Sequence, residues 1–345
     1  MTIGELAQLL KIEAKGPADY PILGLRDIER LSVDQTLEDN YIYFIESPAV
    51  FKRHPKAVEN GAVLTVPALA DQFKHALVAP QADSRLALIA LLKHYDKTPK
   101  FKLGISPKAI VHTSAKIAGS AVIRGGAVVM EHAVIGERCI LYPGVVVEPY
   151  AEIGEGTVLF PCVVIGHHCV IGKNGIIHGG TVIGADGFGF YDQPGKRYKI
   201  PQIGNVVIDD EVEIGASCTV DRATIESTRI GSYTKLDDQV HVGHNAQLGR
   251  YIYIVGNTAI GGSVTIGDGA MISGMVIVKD HLNVAPGSII MGMSGVAQDT
   301  EPKTAYFGIP ARPAKQMHRM NAALERLPEL LAKVQELEES LKRPA

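Results

Sequence analysis

From Ile105 an aliphatic residue recurs at every sixth position: Val111, Ile117, Ile123, Val129, Ile135, Leu141, Val147, Ile153, Leu159, Ile165, Ile171, Ile177 and Ile183 follow in one register. Chance would give such a run on the order of once in a million tries per register. Small residues often take the fourth place after an anchor, as at Ala115, Ala121, Ala127 and Ala133, and glycine often follows the anchor directly, as at Gly136, Gly154, Gly166 and Gly172. A period of six suits neither an amphipathic helix nor an ordinary hairpin. It predicts a coil of three short flat strands with one inward anchor each, stacked on the next coil at about 4.8 Å. Residues eighteen apart then lie above one another.

The pattern pauses over residues 185–207, resumes at Ile208, Ile214 and Val220, and slips by four before locking again. The second run is Ile230, Leu236, Val242, Leu248, Ile254, Ile260, Ile266, Ile272, Val278, Val284, Ile290 and Val296. This is a hexapeptide repeat, and the fold class it predicts is mainly β, a parallel β-helix. Residues 1–102 lack the period and read as a small α/β domain, with helical stretches at Glu5–Ile12 and Arg85–Tyr95 and strands at Tyr41–Ile45 and Ala62–Val66. The β-helix domain is expected over 103–312. A C-terminal extension, 313–345, carries Met317, Met320, Leu324, Leu327, Leu331 and Val334 at helical spacing, with Pro328 expected to break it into two helices.

Composition refines this picture in a few places. The 36 glycines and the absence of Trp fit short strands and turns, and the net charge of −3 gives no general affinity for nucleic acid or anionic membranes. No run of apolar residues is long enough to span a bilayer, and the N-terminus has charges inside its apolar stretch and no signal-cleavage pattern. Cys139, Cys162, Cys169 and Cys218 form no CxxC pair and read as reduced thiols. A cytoplasmic protein is expected.

Among twelve histidines, His112, His132, His167 and His168 fall at repeat positions with no partner pattern. His244, in His241-Val242-Gly243-His244-Asn245, differs: it is expected to be exposed just after an inward anchor, where an imidazole can take a proton near neutral pH. Eighteen residues on lies Gly262, whose backbone N–H could approach a developing oxyanion. The pause in the repeat holds Gly187-Phe188-Gly189-Phe190-Tyr191 and Lys196-Arg197-Tyr198-Lys199. It reads either as a lid or binding loop, or as a loop that buries its two Phe rings on a neighbour.

The stretch from Ile183-Gly184-Ala185-Asp186-Gly187-Phe188-Gly189-Phe190 through Lys199-Ile200-Pro201-Gln202-Ile203-Gly204, then Val212–Ala216, Val220-Asp221-Arg222, His244-Asn245 and Gly308-Ile309-Pro310, resembles the UDP-3-O-acylglucosamine N-acyltransferases of lipid A biosynthesis. The likeness runs over nearly the whole chain. It implies a left-handed β-helix assembled as a homotrimer with sites at subunit boundaries. It also implies transfer of a 3-hydroxyacyl group from acyl carrier protein to the 2-amine of a UDP-3-O-acylglucosamine. No cofactor of the enzyme's own and no metal is implied, since 4'-phosphopantetheine arrives on the carrier. By the same resemblance His244 is the general base, Gly262 the oxyanion donor, and Asp237 and His281 orient or contact substrate. The reading of the excursion as a binding loop makes Phe188, Phe190 and Lys199 substrate contacts, while the resemblance also places Phe44 in the uracil grip. Here the sequence departs from the family: Ser47 stands where Asn is expected and Val50 replaces a second aromatic, for which Phe51 or Tyr43 could compensate. Met291, Met293 and Gly295 match the acyl groove, and Gly295, where a relative carries a bulkier side chain, points to tolerance of long acyl chains. Arg312, Lys315, His318 and Arg319 form a basic cluster suited to an acidic carrier protein or, equally, an ordinary solvated helix face.

Two other readings compete. One is an acyltransferase of the same fold on another nucleotide amino sugar, or one acylating a hydroxyl. The other is a γ-type carbonic anhydrase, in which His241 and His244 would ligate zinc. Against it stands the expectation that residues three apart on a strand face opposite ways. A non-catalytic scaffold would leave His244 and Gly262 without a purpose.

Overall fold

The computed structural model describes residues 1–32, 35–53, 60–99 and 101–342. The chain divides into two compact units, Met1–Lys100 and Phe101–Ala345.

In the first unit a five-stranded sheet runs in the order Glu13–Lys15, Ala76–Val78, Ala62–Thr65, Tyr41–Ile45, Gly24–Leu25. Only the pairing of Glu13–Lys15 with Ala76–Val78 is antiparallel. Ala62–Thr65 is buried at every position, as a central parallel strand covered on both faces should be. The helix Ile3–Leu10 starts where Thr2 and Glu5 form a reciprocal capping box, and it buries Ile3, Leu6 and Ala7. A longer helix, Ser84–Tyr95, buries Ala87 and Leu91 in the same core. The helix and strand readings of the sequence therefore hold, with ends shifted by one or two residues.

The second unit is a parallel β-helix. Two-residue strands stack into three sheets: the first includes Val128–Val129, His241–Val242 and Ala259–Ile260, the second Val170–Ile171 and Gln247–Leu248, the third Ile176–Ile177, Lys235–Leu236 and Tyr253–Ile254. Val111, Val129 and Val147 are successive ladder partners, so anchors eighteen apart pair, as the period requires. The anchors from Ile123 to Val296 are buried in one continuous core. Corners recur with the same period. His132, Arg138, Tyr150, Cys162, His168 and Asn174 all have φ between 52° and 62°, the left-handed conformation that turns the chain from one sheet toward the next three residues after an anchor.

The pause in the repeat is a hairpin. Phe190–Gln193 pairs antiparallel with Lys196–Lys199 across a turn at Gly195, whose φ is +78°. The later slip of four residues has a local cause. Residues 223–226 form a short loop whose carbonyls at Ala223, Thr224 and Glu226 accept from the N–H groups of Gly204, Ile203 and Asn205, the returning limb of the excursion. The two irregularities are thus one feature. After Val296 the chain passes through Ala305–Phe307 to the helices Ala314–Glu325 and Leu327–Lys342, which are split at Arg326 just before Pro328. Among the described residues no helix is long and apolar enough to cross a membrane.

Candidate active site

Where the first sheet turns toward the second, the positions two residues after successive anchors stack in a vertical column: His167, Arg222, His244, Gly262 and Asp280. Around it Phe188, Asp221, His241, Gly243, His244, Gly262, Asp280 and His281 line a cleft of about 260 Å³.

His244 is half-buried rather than exposed, because backbone covers both faces of its ring. A Cβ built on Gly187 would stand 2.6 Å from the His244 Cβ and 2.9 Å from Cδ2, and one built on Gly262 would stand 2.8 Å from Nε2. No side chain fits at either position without displacing the imidazole. Its protonation geometry follows from Asn245. The Asn245 Nδ2 donates to the Ile225 carbonyl (3.0 Å) and its Oδ1 accepts from the Thr224 N–H (3.0 Å), which fixes the amide orientation. Nδ1 of His244 lies 3.1 Å from that same Oδ1, so Nδ1 must carry the hydrogen. The lone pair is left on Nε2, on the side of Gly262. Among the described residues the Gly262 N–H donates to no acceptor, while its carbonyl accepts from His281 N–H at 2.9 Å.

The excursion that brings Gly187 onto the ring is held at its base by Arg222, whose side chain is only 2% exposed. Its Nε donates to the Gly184 carbonyl (2.8 Å), Nη1 reaches His167 Nε2 (2.7 Å) and the Gly204 carbonyl (3.3 Å), and Nη2 reaches the His167 carbonyl (3.3 Å). Both ends of the loop are therefore tied to one guanidinium. Burial, and then the nearby Arg222 charge, hold the His167 imidazole below its ordinary pKa. Lys199 pairs with Asp186 beside this base. Phe188 is 86% exposed and packs edge-on against Phe190 at 5.0 Å, so within one chain the rings are not buried and the loop overhangs the cleft.

Asp221 was not singled out as a site residue by the sequence pattern. It is 8% exposed, and its carboxylate lies 3.9 Å from His241 Nε2, while His241 Nδ1 is held by Thr219 Oγ1 at 2.8 Å. Burial pushes the Asp221 pKa up, and His241 and His244 pull against that rise. The alternation argument applied to His241 and His244 needs correction, because both line the same cleft. The strand ends at Val242, and the turn through Gly243 swings His244 back to the side of His241.

Other expected residues lie elsewhere. Asp237 sits on the third sheet in a separate cleft of about 610 Å³ with His178, Glu213, Lys235 and Tyr253, its Oδ2 accepting from the Gly256 N–H at 3.0 Å. A single chain does not bring it to His244. His281 does share the cleft, at a corner with φ 60°. Met291, the exposed Met293 and Gly295 follow one another around the corner from the third sheet to the first, and Gly295 lies against Ile309. Arg312, Lys315, His318 and Arg319 are exposed at the start of the C-terminal helices, with His318 stacked on Phe307. In the first unit Phe44 is half-buried, and Ser47 lines a cleft of about 530 Å³ beside the Glu46–Arg85 ion pair. Tyr43 cannot supply a missing aromatic, because it is fully buried with its hydroxyl bound to the Glu38 N–H. The Phe51 side chain lies outside the described residues.

The chain is similar in sequence to known proteins. A family model described as GlmU-like, C-terminal hexapeptide matches residues 106–191. Among solved structures, a UDP-N-acetylglucosamine acyltransferase of Francisella novicida is 30% identical, with a TM-score of 0.49 over 61% of this chain and 69% of that one. A UDP-3-O-acylglucosamine N-acyltransferase of Pseudomonas aeruginosa (strain LESB58) is 37% identical over 99% of this chain and 94% of the relative. One of Pseudomonas syringae pv. tomato is 34% identical over 98% and 95%. With likeness of that extent over both units, the chain belongs to the UDP-3-O-acylglucosamine N-acyltransferase family and is an acyltransferase.

Proposed function

We propose that the chain moves a 3-hydroxyacyl group from acyl carrier protein to the 2-amine of UDP-3-O-(3-hydroxyacyl)glucosamine, with His244 as general base and the Gly262 N–H as oxyanion donor. The observation that carries this reading is the orientation of His244. Asn245 holds the hydrogen on Nδ1, so Nε2 presents a lone pair beside an unengaged backbone N–H. The amine nitrogen attacks the thioester carbonyl carbon. As the C–N bond forms, the carbonyl oxygen takes up negative charge against the Gly262 N–H, and the nitrogen gives its proton to Nε2. The imidazolium then hands that proton to the departing sulfur as the C–S bond breaks, leaving amide, thiol and neutral His244.

In this reading His281 and Phe188 contact the acceptor, and Phe190 and Lys199 shape the overhanging loop. Met291, Met293 and Gly295 receive the acyl chain, while Phe44 serves the uracil ring. The exposed Arg312, Lys315 and Arg319 receive the acidic carrier, whose 4'-phosphopantetheine brings the acyl group, so no resident cofactor or metal takes part. A cytoplasmic homotrimer completes the proposal, its neighbouring subunit supplying the Asp237 face.

The test is acyl transfer from 3-hydroxyacyl carrier protein by the wild type and by His244→Ala. An amide product, with loss of about a hundred- to ten-thousand-fold in the folded variant, is expected. A variant of near wild-type rate would remove His244 from the base role. A wild type that makes no amide would move the acceptor to other UDP-linked amino sugars.

A further inference from the structure

The cleft contains a carboxylate for which the acyl-transfer steps have no use. Asp221 is buried, yet it accepts no hydrogen bond from any described residue, and the imidazole nitrogen nearest to it, His241 Nε2, stands 3.9 Å away, beyond hydrogen-bond reach. His241 already has a partner in Thr219. The guanidinium next to it in sequence, Arg222, is turned the other way and consumed by Gly184, Gly204 and His167. Across the cleft stand His244, Asp280 and His281, and Asp186 faces it from the excursion with its own partner, Lys199. A carboxylate with so little access to water gains most from a donor that reaches it, and here the described residues supply none at bonding distance. The donor that fits is a small cationic group entering the cleft beside His244.

We infer that Asp221 is the residue that recognises the acceptor's amino group, binding it as an ammonium and so selecting a nitrogen over a hydroxyl acceptor. This rests on the proposed acceptor and names what in the site selects it. An ammonium offers three donors and a full charge; a hydroxyl offers one donor and none. Held against Asp221, the ammonium is within the same small cleft as Nε2 of His244. It releases one proton to solvent to become the attacking amine, and its second proton takes the path through His244 to sulfur.

The test compares two ligands of one shape, UDP-3-O-acylglucosamine and the corresponding UDP-3-O-acylglucose, which carries a hydroxyl in place of the 2-amine. Affinities would be measured by calorimetry for the wild type, Asp221→Asn, Asp221→Ser and His244→Ala. The wild type should prefer the amine by about tenfold or more, and both Asp221 variants should lose that preference while binding the hydroxyl analogue as before. Retained binding of the analogue also reports an intact fold. His244→Ala should keep the preference. Equal preference in wild type and Asp221→Asn, or equal weakening toward both ligands in both Asp221 variants, overturns the inference. If instead the wild type forms no amide, the acceptor reading fails first, and that outcome is read from product analysis rather than from the variants.

Discussion

Between Gly104 and Ile177 every strand is two residues long and each coil repeats the last. Between Val182 and Ile230 the same β-helix carries a five-residue strand with a bulge after Ile183, a hairpin excursion and a short extra loop. The first stretch packs as tightly as the second: Leu141 and Val220 are equally buried. What differs is where backbone and charge are placed outside the core. The regular coils present separate ion pairs and stacked rings, such as Arg138 with Glu155 and Tyr142 on Phe160. The irregular coils bring Gly187, Asp221 and Arg222 to the corner where His241 and His244 stand. Regular stacking builds the frame and sets Gly262 above His244, and the departures from it add Gly187, Asp221 and Arg222 around them.

The strongest way to sharpen this contrast is Gly262→Ala. Its methyl would stand 2.8 Å from Nε2, so the ring must move away from the oxyanion donor. A fall in kcat of about a hundred- to a thousand-fold is expected with little change in melting temperature. A rate within threefold of wild type would show that the packed column is not tuned for catalysis. Leu141→Ala should do the reverse, destabilising the folded protein by about 2–5 kcal/mol in denaturant titration while leaving kcat within twofold. Loss of activity without loss of stability there would end the division between frame and site.

The smallest effect should be one of pH. His167 is neutral when it accepts from Arg222, and its pKa in the folded chain lies below the unfolded value near 6.5. The unfolded state therefore binds more protons in that window. The contribution to stability is complete above pH 6.5 and fades as pH falls from there through the folded value. His167→Gln, which keeps a side-chain acceptor, should flatten the stability profile of the second unit between pH 7 and 5. An unchanged slope would place the acid sensitivity elsewhere.

Much of the fold was legible because anchors such as Val129 and Ile260 obey one rule with one cause, the stacking of identical coils. The pairing of His244 with Gly262 came from the same count of eighteen. Asp221 escaped because it comes directly after an anchor, a place where the alternation rule predicts ordinary exposure. In the folded chain it shares its cleft with His241, His244 and Phe188 of the excursion, and only 8% of it stays exposed. His241 was misjudged for a related reason, since a two-residue strand is too short for alternation to govern the turn beyond it. Asp237 is seven residues before His244 but belongs to another sheet, a separation that sequence distance conceals. The link from Asn245 to the loop at Thr224 and Ile225 had a trace in the sequence, the slip of four, whose partner was unknown until the returning limb of the excursion was placed against it.

The two glycine backbones on either side of His244 have one more consequence. A surface histidine samples several rotamers, and any reaction that needs one of them must collect it from the others at each encounter. Here the ring is wedged between Gly187 and Gly262 and bound at Nδ1, so its rotational freedom is surrendered once, during folding. Every later turnover begins with the imidazole already standing still.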